Sequence, residues 1–390
     1  MTELTFRAML LPRSADRPEG SVIGNWWHSV DRWTLGAVLA LFAVGTVLGL
    51  AASPPLAEKN GLWTYHYVVR QAVFALVGLG VIAVLSMMST VAIRRLGVLL
   101  FAGTFLACAL LPWFGTDFGK GAVRWYSLGV IGLQPSEFLK PAFAITAAWL
   151  MAGATERGGP PGRTLSGLLA AVIAALLVMQ PDFGQAMLVL SVWAAMLFAS
   201  GAPIVLLIVF AAVIGVGGAV AYMESEHVAR RIDGYLAEGV DPHSQLAYAQ
   251  SAISEGGFFG VGAAQGQVKW ALPDAHTDFI IAVAAEEFGL VLTLGIVGLY
   301  LFITLRSLCR LIDERKPFVR LAGTGLAVLF GLQAFVNVAV AVRLLPAKGM
   351  TLPFVSYGGS SMLAAAVLMG ALLALTRSRA HHPEPRRTGP

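Results

Sequence analysis

The chain is expected to fold as an all-α polytopic membrane protein of about ten transmembrane helices, and three observations predict it. It is 57% hydrophobic and only 13% charged, with a mean hydropathy of +0.74, whereas soluble domains run near 25% charged residues. Apolar stretches of the length that a hydrocarbon core about 30 Å thick demands, roughly 20 residues of helix, recur along the whole chain. The turns between them are alternately rich and poor in Lys and Arg, which is the signature of fixed orientation in a membrane.

In chain order, an N-terminal arm (1–32) is followed by apolar stretches at about 33–52, 68–88, 96–112, 137–152, 165–180, 185–200, 203–223, 277–305, 319–345 and 357–376, then by a tail (377–390). The arm, the turns near 94, 157 and 310, and the tail together hold 17 of the 27 Lys and Arg, against 8 on the opposite side. Arg70 and Lys140 fall inside spans. That bias places both termini in the cytoplasm, and 33–376 then reads as one ten-helix membrane domain.

The net charge of +5 is accordingly a topology signal, and no nucleic-acid partner is expected. "RSLCRLIDERK" reads as a cytoplasmic rim touching anionic lipid. Cys108 and Cys309, in mid-span and at the inner face, predict neither an extracytoplasmic disulfide nor a metal site. No cleavable signal peptide is expected, because the first apolar stretch is too long for one.

Most turns are short, but about 224–275, between the seventh and eighth stretches, is a long extracytoplasmic loop. Loops of that length are usually functional or disordered. Here "SQLAYAQSAI" has helical spacing and "GGFFGVGAAQGQ" supplies a Gly-rich turn. Gly260, Gly262 and Gly266 lack the spacing of a dinucleotide fingerprint, and no GK[ST] follows, so a close-packed turn is expected rather than a phosphate cradle.

Charges inside spans cost roughly 2.5–3.5 kcal/mol each on insertion scales and by default suggest function. They are Arg70, Glu137, Lys140, Asp182, Asp278, Glu286, Glu287 and Arg343, most of them at the outer ends of their helices, as an outward-facing polar cavity would require. Glu137 and Lys140 are i,i+3 and share a face. Asp278 and Glu286 also share one, Glu286 lying about 12 Å deeper, with the small Ala282 and Ala285 between them leaving room for a ligand or a neighbouring helix. The competing reading is a set of structural ion pairs, such as Lys140 with Glu286, and it weighs equally for any single pair. For Glu287, about 100° round the helix, the structural reading is favoured. Asp274 is expected to face solvent. Asp278 stands apart, because it heads its helix beside His276 and Thr277 at the end of the long loop, where water and substrate reach it.

Three segments, "GAVRWYSLGVIGLQPSEFLK", "LPDAHTDFIIAVAAEEFG" and "LPAKGMTLPFVSYGGSSM", resemble the SEDS family, the FtsW/RodA/SpoVE proteins of bacterial wall synthesis. The resemblance covers about residues 30–376. "RRIDGYLAEGVDPHSQLAYAQSAI" resembles the family's loop pattern, departing from it in "SQLAYAQ" where a "GYQ" is usual. "KGMTLPF" and "LPDAHTDF" look more like the division members than the elongation members. The resemblance implies an inverting peptidoglycan glycosyltransferase that polymerises lipid II onto a growing undecaprenyl-linked glycan strand at the outer face of the inner membrane. Asp278 matches the family's essential acid, Glu137 and Lys140 its "PSExxK" motif, and Arg70 an arginine of the second helix. A sugar hydroxyl attacking an anomeric carbon needs a base, for which Asp278 is the candidate, alone or holding a divalent cation such as Mg or Mn. The departing pyrophosphate needs cations, for which Arg70, Arg124, Lys140 and Lys348 are available. Glu137, His276, Thr277 and Glu286 would support them, Glu286 by pairing with a cation. A class B penicillin-binding transpeptidase (FtsI-like) and other divisome membrane proteins are the implied partners, with the septum as the site of action. The alternatives are a flippase for lipid-linked wall precursors, which the clustering of charge at one leaflet disfavours, an elongation polymerase, and a scaffold that only activates a partner.

Overall fold

The computed structural model describes residues 21–378, apart from 118–122, 128, 130, 131, 157, 225, 237–243, 273, 347 and 348. A short amphipathic helix, α1 (Val22–Ser29), leads into α2 (Arg32–Ala52), α3 (Pro54–Lys59), α4 (His66–Met87) and α5 (Thr90–Phe114). A two-stranded hairpin, β1 (Tyr126–Ser127) paired antiparallel with β2 (Gly132–Leu133), precedes α6 (Pro135–Gly153), α7 (Gly162–Met179), α8 (Phe183–Ala199) and α9 (Ile204–Glu224). Then come α10 (Glu226–Leu236), α11 (Gln245–Gly256), α12 (Val268–Ala271), α13 (Ile280–Ile312), α14 (Pro317–Ala341) and α15 (Gly359–Leu375).

A helix therefore occupies each of the ten expected stretches. Seven are long and apolar enough to cross a membrane (α2, α4, α5, α7, α9, α13 and α14), and α8 and α15 are apolar but shorter. The remaining helix, α6, carries the buried Glu137 and Lys140. It lies at the centre, packed on α5, α7 and α14, while α15 packs mainly on α4. Peripheral helices turn their apolar side chains outward, as Leu99, Leu168, Val209 and Val291 do, where lipid would solvate them. Small residues let the central backbones approach: a Cβ on Gly45 would fall 2.3 Å from the Phe354 carbonyl oxygen. With no hydrophobic drive between helices in lipid, such close packing is what holds a bundle together.

The described residues of the long loop include α10, α11 and α12, and "SQLAYAQSAI" forms most of α11 as its spacing predicts. The eighth stretch departs from expectation. Helix α13 is broken at Gly289, whose φ of 78° and ψ of −175° are non-helical. The Gly-rich turn at 257–262 occupies the break. The amides of Val261 and Gly262 donate to the carbonyls of Glu286 and Glu287, at 2.9 and 3.1 Å, and the amides of Leu290 and Val291 donate to those of Gly257 and Phe258, at 2.9 and 3.3 Å. A helix interrupted within lipid leaves backbone groups that need protein partners, and this turn supplies them. The turn is close-packed, as expected.

At the other end of α13 lies a buried acid absent from the list of in-span charges. Asp31 accepts from Arg306 Nε and Nη2 at 2.6 and 2.9 Å and from Thr34 at 2.8 Å, and Arg310 lies 3.2 Å away. Arg310 also donates to the Thr376 carbonyl and to Ser378, and Arg377 donates to Ser29. Both ends of the bundle's chain are thereby tied to α13. Burial raises the Asp31 carboxyl pKa, but the hydrogen bonds from Arg306 and Thr34 and the charge of Arg310 outweigh it and hold the group below 3.8. A depressed carboxyl contributes stability that is present above the ordinary value and is lost as pH falls through the lowered one. Asp31→Asn should therefore cost about 2 kcal/mol at pH 7, a figure already discounted for solvent at the arginines. Differential scanning fluorimetry in detergent should show a melting point a few degrees lower, with the difference from wild type shrinking below about pH 4.

Candidate active site

Asp278 lies in a tight turn, 274–279, just before α13 begins at Ile280, so the periodicity that set it on one helical face with Glu286 does not reach it. Asp274 starts this turn at φ 54°. Its carbonyl accepts from the amides of Thr277 and Asp278 and from Thr277 Oγ1, each at 3.1 Å. Asp274, expected at the surface, is half-buried. The three successive carbonyls of 276–278 are held from outside the turn. That of His276 accepts from the Tyr357 amide at 2.9 Å, that of Thr277 from Ser356 Oγ, and that of Asp278 from Asn337 Nδ2 at 3.0 Å. The Asp278 side chain is half-buried and its Oδ2 rests against Gly349, where an added Cβ would stand only 3.1 Å away. Gly349→Ala should therefore displace the carboxylate by a few tenths of an ångström. Turnover should fall about tenfold without loss of folded protein, on the scale by which a 1 Å misplacement costs about 100-fold. Initial rates on monodisperse protein would check it.

Rings line one side of the turn. Tyr67, His276 and Tyr357 pack together with centroids 5.4–6.3 Å apart. Arg70, one turn along α4 from Tyr67, is within electrostatic reach of Tyr357. The structure thus brings Asp278, His276, Thr277 and Arg70 to one place.

The other candidates form a second group. Lys140 Nζ donates to Glu137 Oε2 at 3.0 Å, and Gln185 Nε2 to Glu137 Oε1 at 2.8 Å, all three side chains being buried. Asp182, at the start of α8, feels the charges of Arg124, Lys140 and Glu137. Ser360 links the groups, because its Oγ donates to the Gly132 carbonyl and accepts from the Gln134 amide at the head of α6, three residues beyond Tyr357. Arg124 donates from Nε and Nη2 to the carbonyls of Gln180 and Pro181, at 2.9 and 2.6 Å. These carbonyls lie just past the last turn of α7, where orphan acceptors attract cations. Lys348 lies outside the described residues.

One further expectation needs correction. Among the described residues Glu286 pairs with no cation, Lys140 included: its Oε1 accepts from the amides of Gln267 and Val268 at the start of α12. Of the two occupants expected, a ligand or a neighbouring helix, the helix is what lies beside Ala285: a Cβ on Gly256 of α11 would lie 1.8 Å from the Ala285 carbonyl oxygen. Glu287 has the structural role expected of it, forming a fully buried pair with Lys269 Nζ and accepting from the Ala264 amide at 2.8 Å. Sequence reasoning missed Asn337, Ser356 and Tyr357. Each is uncharged, so the search for charges inside spans could not find them.

Among the described residues no three His, Cys, Asp or Glu side chains converge on one point. A divalent ion at Asp278 would take its remaining ligands from substrate phosphate oxygens, backbone carbonyls and water, which is how Mg²⁺ is commonly held.

A family model described as a cell cycle protein, FtsW/RodA/SpoVE, matches residues 32–381. A protein of Caulobacter vibrioides named "Probable peptidoglycan glycosyltransferase FtsW" is 38% identical over 364 residues, 93% of each chain. One of the same name from Halorhodospira halophila is 35% identical, over 92% of this chain and 95% of its own. Among solved structures, a chain described under "Structural coordination of polymerization and crosslinking by a peptidoglycan synthase complex" superposes with a TM-score of 0.72 at 29% identity, covering 89% of this chain and 97% of that one. The rod shape determining protein RodA of Thermus thermophilus superposes with a TM-score of 0.64 at 28% identity, covering 90% and 97%.

Proposed function

Because the chain belongs to the FtsW/RodA/SpoVE family, we infer that it is a peptidoglycan glycosyltransferase that polymerises lipid II at the outer face of the inner membrane. The observation that carries the reading is the Asp278 turn. A half-buried carboxylate on a backbone held at three successive carbonyls is the preorganised group that base catalysis needs. In the reaction, the 4-hydroxyl of one sugar gives its proton to the Asp278 carboxylate while its oxygen bonds to the anomeric carbon of the strand end. The bond from that carbon to the lipid pyrophosphate breaks with its electron pair, and configuration inverts. The pyrophosphate leaves without a protein acid, so a second carboxylate of the glycosidase type is not needed. Arg70, within electrostatic reach of Tyr357, would balance the charge that develops, and Lys348 is proposed as a further cation. The Glu137–Lys140–Gln185 group braces α6 behind the hairpin. A divalent ion bound at Asp278 would lower the pKa of a coordinated hydroxyl.

Septal work with a class B penicillin-binding transpeptidase is supported by the division-type names of the curated relatives and by the synthase complex among the structural neighbours. Both termini are assigned to the cytoplasm. In a Cys309→Ser background, a cysteine at Gly239 should then react with an impermeant thiol reagent in intact cells, and one at Gly159 should not. Labelling at Gly159 would contradict this sidedness. The activity itself is tested with purified protein and its transpeptidase, by a gel of glycan strands made from lipid II beside a lipid-translocation assay in vesicles. Strands are expected. Translocation without strands would identify a flippase.

A further inference from the structure

We propose that Asn337 is a positioning residue, acting with Ser356 to fix both the Asp278 carboxylate and the surface it rests on. The proposal rests on the reading of Asp278 as the catalytic base. Asn337 lies on α14 and is 2% exposed. Its single Nδ2 donates to two carbonyls, that of Asp278 at 3.0 Å and that of Met350. Met350 follows Gly349, the residue against which Asp278 Oδ2 lies. One amide therefore holds the backbone that carries the carboxylate and also the strand that faces it.

Ser356 repeats the arrangement one residue earlier. Its Oγ donates to the Thr277 carbonyl and accepts from the Leu352 amide at 2.9 Å, again joining the turn at 276–278 to the segment at 349–357. Gln333, one turn along α14, donates to the Thr351 carbonyl. Each residue ties a different point of the two segments, so neither can slide past the other.

Packing alone does not account for Asn337. Among the described residues its Oδ1 is buried without a hydrogen-bond partner, as is Thr351 Oγ1, and an unsatisfied acceptor in a helix interior opposes stability. A leucine there would avoid that penalty but would leave the Asp278 and Met350 carbonyls without their donor. The amide opposes stability here, and the geometry points to catalytic alignment as its role, since displacing a reacting group by about 1 Å costs about 100-fold in rate.

The test is Asn337→Leu, with Ser356→Ala as a second variant, assayed as monodisperse full chain with the transpeptidase partner on lipid II. Asn337→Leu should lower kcat about 10–100-fold with KM unchanged within about twofold, because the lost interaction serves the transition state and not ground-state binding. Ser356→Ala should lower kcat in the same sense, and it carries the test if Asn337→Leu does not fold. Unchanged kcat in both folded variants, or a rise in KM alone, would overturn the proposal. Asp278→Asn is run beside them. If it still polymerises, the catalytic reading falls and the proposal with it. If it is inactive while both variants keep full kcat, only the positioning role is lost.

Discussion

Gly289→Ala should leave almost no folded protein. The backbone there has φ 78° and ψ −175°, a region nearly confined to glycine and costing other residues about 1–3 kcal/mol. Contact makes it worse. A Cβ would stand 2.4 Å from the Phe258 carbonyl oxygen and 2.5 Å from the Gly260 amide nitrogen, and backbone atoms cannot swing aside as a flexible side chain can. Opening that gap breaks the exchange of four hydrogen bonds between the Gly-rich turn and the break in α13, each contributing about 1 kcal/mol. It also pulls the loop off Glu286 and Glu287, and separating Glu287 from Lys269 leaves a buried charge uncompensated, at about 3–5 kcal/mol. The sum is comparable to the whole stability of a typical domain, about 5–15 kcal/mol. Size-exclusion chromatography after detergent extraction should show aggregate in place of a monodisperse peak, whereas Gly295→Ala, where a Cβ meets open space, should elute as wild type.

The positions of the helices were legible because the bilayer imposes length and hydrophobicity on every span at once, a signal spread over about 20 residues. Asp278 was legible for the opposite reason, since one ionisable group at the end of a long loop stands out against an apolar background. The partners of the acids were not. Glu286 Oε1 is held by backbone amides at 267 and 268, and amides are the same at every position of a sequence. Lys269, the partner of Glu287, lay in a segment read as loop. The break at Gly289 was hidden because glycine is frequent in membrane helices, and only the positive φ distinguishes this one. Asn337 in "FVNVAV" sits in an apolar run where a neutral amide carries little weight, and its importance follows from a fold that brings 278 and 350 to either side of it.

Asp278→Asn should abolish strand synthesis. The substitution keeps the size of the side chain and leaves the backbone donors from Asn337, Ser356 and Tyr357 in place, so the turn should fold unchanged. It removes the negative charge and the basic lone pair, and loss of general-base assistance costs about 10²–10⁴ in rate. With Asp278 acting alone as the base, binding should survive, because an anionic pyrophosphate gains nothing from a nearby carboxylate. Asp278→Glu should also be strongly impaired, since one methylene moves the carboxylate by about an ångström, worth about 100-fold, and Gly349 leaves it no room on that side. The measurement that reaches the central claim is a glycan-strand gel from lipid II with wild type and Asp278→Asn, each purified with the transpeptidase partner, beside lipid II binding to the same samples. Strands from wild type, none from Asp278→Asn and equal binding by both are predicted; strands of ordinary length from Asp278→Asn would contradict the assignment of Asp278 as the catalytic base.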